Sequence, residues 1–258
     1  MSNKKVTSLE VAKLAGVSQS AVSRVFTPGA SSSKKTNDLV RKAAAELGYR
    51  PNVLARSLIT GKSRIIGLVV AYLDNYFYPE ALELLSSALQ KKGYHVLIFM
   101  SGNKEGDIAD AVDEILDYQV DGIIAASVSM SSDLAKRCTS AGVPVVLFNR
   151  TQDDERLSAV TSDNVLGGQK VARFLLAGGH KRIGYIAGWE GASTQRDREK
   201  GFTDELTRNG QSLYAREIGN FNLDEARQAA RKMFTRNDFP DAVFVANDAM
   251  AIAVIDVI

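Results

Sequence analysis

The stretch that decides the N-terminal fold runs from Thr7 to Val25 and reads TSLEVAKLAGVSQSAVSRV. Thr7 and Glu10 have the spacing of a capping box, which predicts that a first helix begins directly after Thr7. Gly16 marks a sharp bend where we expect a positive φ, because glycine adopts that conformation without steric cost. Ser18 can cap a second helix by accepting a hydrogen bond from a backbone N–H. The stretch therefore predicts a helix-turn-helix.

The second helix has a polar face suited to reading DNA. Its polar side chains fall at positions i, i+1, i+4 and i+5, so they share one side of the helix: Gln19, Ser20, Ser23 and Arg24. Arginine can bond a guanine edge through two parallel donors, and glutamine can do the same with adenine. We therefore expect base contacts from Gln19, Ser20 and Arg24. A packed helix pair with a solvated polar face is the alternative.

Charge is distributed unevenly along the 258 residues. Residues 1–64 contain twelve Lys and Arg against three Asp and Glu, whereas the rest contain 20 against 27. A basic head on an acidic body indicates a polyanionic partner at one end only. The chain shows no signal peptide and no stretch of membrane-spanning length, and its one cysteine, Cys138, fits a reducing compartment. We therefore expect a cytoplasmic protein without a membrane partner.

Two further segments complete the N-terminal part. Ser33 can cap a third helix that ends at Gly48 and has an apolar stripe formed by Leu39, Val40, Ala43, Ala44 and Leu47. Asn52 can cap a short helix from Val53 to about Leu58, too short to be stable alone in water. Its apolar residues flanked by cations are typical of a wedge for the DNA minor groove. We expect a DNA-binding domain over residues 1–50 and a hinge helix with linker over residues 51–63.

From Arg64 onward, strand and helix patterns alternate. The first lobe, residues 64–152, is predicted to contain four strands, and the second lobe, residues 153–258, to open with a short strand at Val160. This alternation predicts an α/β core of parallel, doubly wound sheets. The segments that begin at Arg64 and Arg182 echo one another weakly, as two similar lobes would. Ligands of such sheets bind beyond the carboxyl ends of the strands, so we expect a binding cleft between the lobes.

The chain offers few groups for catalysis. Its two histidines, His95 and His180, are far apart in sequence, and Cys138 lies in an amphipathic helix without a nearby partner. The glycine pairs at 167–168 and 178–179 do not make a dinucleotide fingerprint. We expect no enzyme activity, no metal site and no cofactor.

Five motifs follow one another along the chain: VSQSAVSRV in the second helix, LGYRPNVLARSL in the short helix after Asn52 and its approach, then GGHKRIG, REKGF and ANDAMA. With these motifs in this order, the chain resembles the LacI family of bacterial transcription regulators from Val6 to Ile258. The resemblance implies an all-α helix-turn-helix head followed by a two-lobe core like that of periplasmic binding proteins. It also implies a homodimer on a near-palindromic operator. A small effector, often a sugar or sugar acid, shifts lobe closure and thereby hinge order.

A solute-binding protein of periplasmic type is the alternative to a regulator. It shares the two-lobe core, but it predicts a signal peptide and no basic head.

The resemblance implies DNA-binding roles for the positions that match the family's motifs. Gln19 and Ser20 match the variable base-reading pair, and Arg24 matches a more general contact. In the hinge, Leu58 matches the wedge at the central base step, and Ala55 matches a position expected close to the groove floor. Contacts to phosphates, which position the protein without specifying sequence, are expected from Thr7, Ser18, Ser33 and Thr36. Ser23 and Asn52 complete the expected set.

The resemblance also implies an effector site. Its residues are Asn149, Arg198, Phe221 and Asn247, with Asp74, Asn75 and Phe77 from a first-lobe loop and Asp163 at the start of the second lobe. An aromatic face with amides and a guanidinium suits a polyhydroxylated ring or an anionic group on it. Structural alternatives are a helix cap for Asp163, a strand-to-helix turn for Asn247, core packing for Phe221 and a surface ion pair for Arg198. The family often has Asp where this chain has Asn149, so that carboxylate is lost.

The family pattern continues after Ile258 with further strands and helices that cross back to the first lobe. Without them, both sheets would expose strand edges and apolar surface. We therefore expect this chain, expressed alone, to fold poorly or aggregate.

Overall fold

The computed structural model describes residues 6–27, 29–51, 61–71, 73, 76–101, 105–154, 156–235 and 237–258. The predicted hinge helix, with Asn52, Ala55 and Leu58, lies outside the described residues. So do Asp74 and Asn75 of the predicted effector loop. The chain divides into two units, one up to Ser63 and one from Arg64 onward.

The described residues of the first unit form helices α1 (Ser8–Ala15), α2 (Gln19–Val25) and α3 (Lys34–Leu47). The predicted capping box opens α1: the Thr7 N–H donates to Glu10 Oε2 at 2.7 Å, and the Glu10 N–H donates to Thr7 Oγ1 at 3.4 Å. Gly16 and Gly48, both with φ 65°, end α1 and α3 in the left-handed conformation. These predictions are confirmed.

The core of this unit is small and aliphatic. It consists of Val11, Ala12 and Ala15 from α1, Val22 and Val25 from α2, and Val40, Ala43 and Ala44 from α3. Leu39, which we assigned to the apolar stripe of α3, is instead 41% exposed. It lies outside the core cluster, next to the fully buried Val40.

The first lobe of the second unit contains a five-stranded parallel sheet in the order β2-β1-β3-β4-β5. Its elements in chain order are β1 (Ile65–Val70), α4 (Phe77–Lys91), β2 (His95–Met100), α5 (Glu105–Asp117), β3 (Gly122–Ala126), α6 (Ser132–Ser140), β4 (Val145–Phe148) and β5 (Ser158–Val160). Cys138 on α6 is fully buried, as a small core residue.

The strand at Val160 belongs to the first lobe, so the prediction that it opens the second lobe is wrong. It pairs in parallel with β4, where Val160 lies opposite Phe148. A strand of three residues carries no local signal of the sheet it joins. The chain leaving β4 returns beside the open edge of that strand, and this proximity decides the pairing.

The second lobe contains a three-stranded parallel sheet in the order β7-β6-β8. Its elements are α7 (Asn164–Ala177), β6 (Ile183–Ala187), α8 (Ser193–Arg208), β7 (Ala215–Ile218), α9 (Leu223–Phe234), β8 (Ala242–Val245) and α10 (Asp248–Ile255). The predicted parallel, doubly wound architecture is confirmed. None of the described helices is both long and apolar enough to cross a membrane.

The two lobes begin in the same way, which explains the weak sequence echo. Just before β1, the Arg64 N–H donates to Asp121 Oδ2 at 3.1 Å. Just before β6, the Arg182 N–H donates to Asp241 Oδ1 at 3.2 Å. In both lobes, therefore, an aspartate that precedes a neighbouring strand fixes the start of the central strand.

Helices α7 and α8 cross at nearly backbone-to-backbone distance. A Cβ atom added at Gly168 would lie 2.2 Å from the Arg198 carbonyl oxygen, and one added at Gly201 would lie 2.0 Å from the Val165 carbonyl oxygen. Only glycine fits at these two positions. The close crossing brings Arg198 on α8 within hydrogen-bond reach of Asn164 at the start of α7.

Candidate functional site

Helix α2 buries one face and exposes the polar residues expected to contact DNA. Val22 and Val25 pack inward, whereas Ser18, Gln19, Ser20, Ser23 and Arg24 are exposed. Ser18 caps the helix as predicted, because its Oγ accepts a hydrogen bond from the Ala21 N–H at 3.2 Å. The polar residues share one side because the helical period places them there.

The polar side chains of this face differ in how they are held. Gln19 Nε2 donates to Ser8 Oγ on α1 at 2.9 Å, and the hydroxyls of Ser18 and Ser20 lie 2.9 Å apart. The described residues supply neither a hydrogen bond nor an ion pair to the Arg24 guanidinium. Within the described residues, the donors of Arg24 are thus all available to another molecule.

Arg24 borders a shallow cavity of about 290 Å³. The other lining residues are Ala21, Ser31, Ser32, Ser33 and Thr36. Ser33 caps α3 by accepting from the Thr36 N–H at 3.1 Å, and the two hydroxyls lie 2.8 Å apart. A cation, hydroxyls and a helix N-terminus together suit a phosphate group. Thr7 is exposed but sits apart from this cavity, at the start of α1.

A second cavity, of about 430 Å³, lies in the second unit and is lined by both lobes. Every described residue of the predicted effector site lines it: Phe77, Asn149, Asp163, Arg198, Phe221 and Asn247. The volume falls in the range of small-molecule pockets. The cavity borders the residues that follow β4 and β8 and the first turns of α4, α7, α8 and α10, as expected for a doubly wound sheet.

Aromatic rings and an amide form the first-lobe wall. Helix α4 begins at Phe77. The Phe77 ring stacks on Phe148, with centroids 5.9 Å apart and planes 5° apart. Asn149 Nδ2 donates to the Tyr78 hydroxyl at 2.8 Å, and Asn149 has a φ of 59°, which few non-glycine residues adopt.

Phe221 and two helix caps form the second-lobe wall. Phe221 has a φ of 57° and packs over Gly188, where an added Cβ would lie 2.2 Å from the ring. Asp163 caps α7 by accepting from the Leu166 N–H at 2.8 Å, and Asn247 caps α10 by accepting from the Met250 N–H at 2.8 Å. Asp163 and Asn247 therefore combine two positions: each caps a helix, as the structural alternative proposed, and each also lines the cavity. Phe221 likewise lines the cavity while packing on the second-lobe core.

Arg198 is held by neutral oxygens. Its Nε donates to Asn164 Oδ1 at 2.9 Å, and its Nη1 donates to the Ala246 carbonyl at 2.6 Å. No ion pair to Arg198 exists within the described ranges, so the surface ion pair is ruled out there. Burial lowers the pKa of the guanidinium, and the nearby positive charge of Arg150 lowers it further.

Sequence reasoning missed Arg150 and Thr194, which join the two lobes. Arg150 is 2% exposed, and its Nη1 donates to Thr194 Oγ1 at 3.0 Å and to the Asn149 carbonyl at 2.9 Å. Its Nη2 donates to Ser127 Oγ at 2.9 Å. The sequence feature that could have identified Arg150 as a site residue is its position, two residues after a buried strand and adjacent to an expected site residue.

The matches to known protein families fall on either side of the boundary between the two units. Residues 7–52 match the "Bacterial regulatory proteins, lacI family" description, and residues 66–258 match the "Periplasmic binding protein domain" description. The sucrose operon repressor of Streptococcus mutans is 33% identical over 249 residues, which are 94% of this chain and 74% of the relative. The chain belongs to the LacI family.

Two solved structures are similar along nearly the whole chain. One is the lac repressor dimer bound to operator and the anti-inducer ONPF, with a TM-score of 0.87 and 28% identity. The other is the complex of the transcriptional regulator CelR with cellobiose, with a TM-score of 0.68 and 28% identity. Each alignment covers 98% of this chain and 77% of the other. As a LacI-family member, the chain is a DNA-binding regulator of transcription with an α/β core.

In the described part of the chain, no group of three or more His, Cys, Asp and Glu side chains is arranged to hold a metal ion. His180, one of the two histidines, faces a carboxylate instead, with its Nδ1 3.5 Å from Asp241 Oδ1.

Proposed function

We propose that this chain is a cytoplasmic transcriptional repressor that binds a near-palindromic operator as a homodimer. A sugar or sugar acid in the cleft of the second unit controls its affinity for the operator. The cleft thus serves effector binding rather than catalysis. In this proposal, residues 1–50 bind the major groove and residues 51–63 supply the hinge helix and linker.

The exposed polar face of α2 is the observation that carries the proposal. Gln19, Ser20 and Arg24 lie side by side on a helix whose opposite face is buried. In a helix-turn-helix, such a helix enters the major groove, where base edges differ in their donors and acceptors. The alternative of a solute-binding protein accounts for the cleft but leaves this face without a role.

The homodimer follows from the symmetry of operators and from a relative. A two-fold dimer places two reading helices on successive major grooves, so its operator is a near-palindrome. The lac repressor, similar along 98% of this chain, is described as a dimer bound to operator. We assign the same assembly to this chain.

The effector class follows from the lining of the cleft. Phe77 and Phe221 offer apolar faces for a sugar ring, while Asn149, Asn247 and Arg198 offer hydrogen bonds for hydroxyl or acidic groups. Asp163 has one carboxylate oxygen besides the one used in its cap. The relative CelR was solved in complex with cellobiose, and another relative is a sucrose operon repressor.

Selection of random DNA duplexes by the full chain at two salt concentrations tests DNA recognition. We expect a near-palindromic sequence whose affinity falls steeply with salt, because phosphate contacts release counterions. The double variant Gln19→Ala, Ser20→Ala should change the selected sequence within each half-site. The matched control Lys42→Ala, on the exposed side of α3, should select the same sequence as the unmodified chain. If the selection by the unmodified chain enriches no DNA sequence, the proposal is contradicted.

The selected operator then serves to test the cleft. Operator affinity is measured with and without a panel of sugars and sugar acids. Arg198→Ala should abolish the response of operator binding to the active compound, while effector-free operator affinity stays the same. A variant that responds like the unmodified chain would remove Arg198 from the site.

A further inference from the structure

Arg150 is a buried guanidinium without a negative partner in the described part of the chain. Its hydrogen bonds go to two hydroxyls and one carbonyl, all neutral, and no described residue offers its Nε a hydrogen-bond partner. Burying an unpaired charge is strongly unfavourable unless another charge compensates it. Arg150 lines the cleft, so a molecule bound there is a source of that compensating charge.

A second guanidinium faces the same part of the cleft. Thr194, which accepts from Arg150, lies one helical turn before Arg198 on α8, so the two share a face of the helix. Arg198 is also bonded only to neutral oxygens within the described ranges. Two positive charges and one hydroxyl thus converge where the lobes meet.

The start of α8 adds positive potential. The residue before its first turn is Ala192, which has no side-chain hydrogen bond to offer, so no side chain caps this helix. By contrast, Asp163 and Asn247 cap α7 and α10, whose first turns also border the cleft. Uncapped N–H groups and the helix dipole favour an anion at the start of α8, beside Thr194.

The described carboxylates that line the cleft lie at its exposed rim. Asp163 and Asp248 are both exposed to solvent, which screens their charge, and the attraction of Asp248 only partly offsets the lowering of the Arg198 pKa by burial. Asp163 also uses one oxygen in its helix cap. The buried part of the cleft is therefore positive, and its exposed rim carries the negative charges.

We propose that the effector is an anionic carbohydrate, a sugar acid or a sugar phosphate, whose carboxylate or phosphate binds beside Arg198, Thr194 and Arg150. This inference rests on the proposed function and assigns the chemical class of its effector. Arg198 contacts the anion. Arg150 is a positioning residue that holds the Thr194 hydroxyl and contributes charge, and the sugar ring lies toward Phe77 and Phe221.

Isothermal titration of the full chain at constant ionic strength tests this class with matched pairs of ligands. The pairs are glucuronate with glucose, gluconate with glucitol, and glucose 6-phosphate with glucose; inorganic phosphate is titrated alone. We expect at least one anionic member to bind about tenfold or more tightly than its neutral counterpart, since charge-assisted hydrogen bonds are the stronger ones. The ligand pair that shows the preference identifies whether the site prefers a carboxylate or a phosphate group. Equal binding within every pair, or no binding of any anion, overturns the proposal.

Three variants assign the preference to Arg150. Arg150→Met should lose the preference for the anionic member, Arg150→Lys should retain part of it, and Arg231→Met should leave it unchanged. Arg231 is an exposed arginine on α9 outside the cleft lining, so it controls for net charge. The melting temperature of each variant is measured with and without inorganic phosphate. If Arg150→Met keeps the preference, or lowers the melting temperature without changing the shift caused by phosphate, Arg150 is only structural and the proposal fails.

The titration contains no DNA, so its outcome is separate from that of the proposed function. If only neutral sugars alter operator affinity, the anionic class is wrong while the proposed regulator stands. If no operator is selected but the cleft binds anions, the proposed function as a DNA-binding regulator is wrong, while the proposed anion site is supported.

Discussion

Arginine occupies three different environments in this chain. Arg24 is exposed on α2, Arg198 is partly buried among neutral acceptors, and Arg150 is fully buried with one unpartnered nitrogen. In all three places the guanidinium presents a planar, delocalised positive charge with several N–H donors. Each arginine is therefore suited to an anion, but only Arg24 offers all of its donors to a partner as large as DNA.

Arg24→Ala tests the role of a single exposed guanidinium. If the contact to a guanine is bidentate, operator binding should weaken by about 1–3 kcal/mol and the preference at one base pair should relax. Fluorescence anisotropy with operator and random duplexes measures both effects. Arg24→Lys is the control, since it keeps the charge but not the paired donors. Equal losses on the two duplexes would instead make Arg24 a phosphate contact.

Asp154→Asn tests an acid-sensitive ion pair. Arg156 donates to both carboxylate oxygens of Asp154, from Nε at 2.8 Å and Nη2 at 2.5 Å, and these bonds lower the pKa of Asp154 to about 2. Because the folded-state pKa is below its ordinary value, the stabilisation is complete above about pH 4 and is lost as the pH falls toward 2. The variant should therefore show a shallower loss of stability over that range, measured as urea midpoints at successive pH values.

The control for this acid series is Asp117→Asn. Asp117 is an exposed carboxylate at the end of α5 to which the structure, as far as it is described, gives no ion pair. Its variant should follow the pH profile of the unmodified chain. Identical profiles for Asp154→Asn and Asp117→Asn would show that the Arg156 pair has no effect on acid stability.

At the scale of elements, side-chain caps mark the helix starts that the sequence predicted in the first unit. Thr7, Ser18 and Ser33 cap α1, α2 and α3, and each of those helices begins directly after its predicted cap residue. Helices α4 and α8 have no side-chain cap. Their first two residues include Phe77, Tyr78 and Thr194, all of which line the cleft.

Two adjacent glycines of α7 allow a matched test of helix packing. Gly168→Ala should lower the free energy of unfolding by about 1–3 kcal/mol or more, because its Cβ would collide with the Arg198 backbone. Gly167→Ala should raise it by about 0.5–1 kcal/mol, because nothing lies within 4 Å of the added Cβ. Denaturant unfolding of both variants measures the difference. Similar effects of the two substitutions would contradict the close crossing of α7 and α8.

At the scale of the whole second unit, hydrogen bonds after β4 connect one lobe to the other. Arg150 reaches Thr194, and the Thr151 N–H donates to Ser193 Oγ at 2.9 Å. Both acceptors lie in the first turn of α8, beside the cleft. A ligand that changes the surroundings of Thr194 therefore acts on the same contacts that hold the lobes in place.

Thr194→Val tests this connection between lobes. The valine has a similar shape but no hydroxyl, so an Arg150 N–H loses its acceptor in a buried place. We expect the free energy of unfolding to fall by roughly 1–3 kcal/mol. Thr203→Val is the matched control on α8, since among the described residues the Thr203 hydroxyl bonds only carbonyls of its own helix. Equal stability of the two variants, by denaturant unfolding, would show that the Arg150–Thr194 bond is not a significant link.

The sequence by itself determined the reading helix, most helix starts and the parallel architecture. Capping boxes, turn glycines and alternating strand and helix patterns each lie within a few residues of one another, so a short window contains the whole signal. Motif resemblance extended this to the described effector residues, all of which line one cavity. The tertiary structure alone decided which sheet the strand at Val160 joins and that Arg150 is buried against Thr194, 44 residues away in sequence. These contacts depend on where distant segments meet after folding, and no local pattern encodes that meeting.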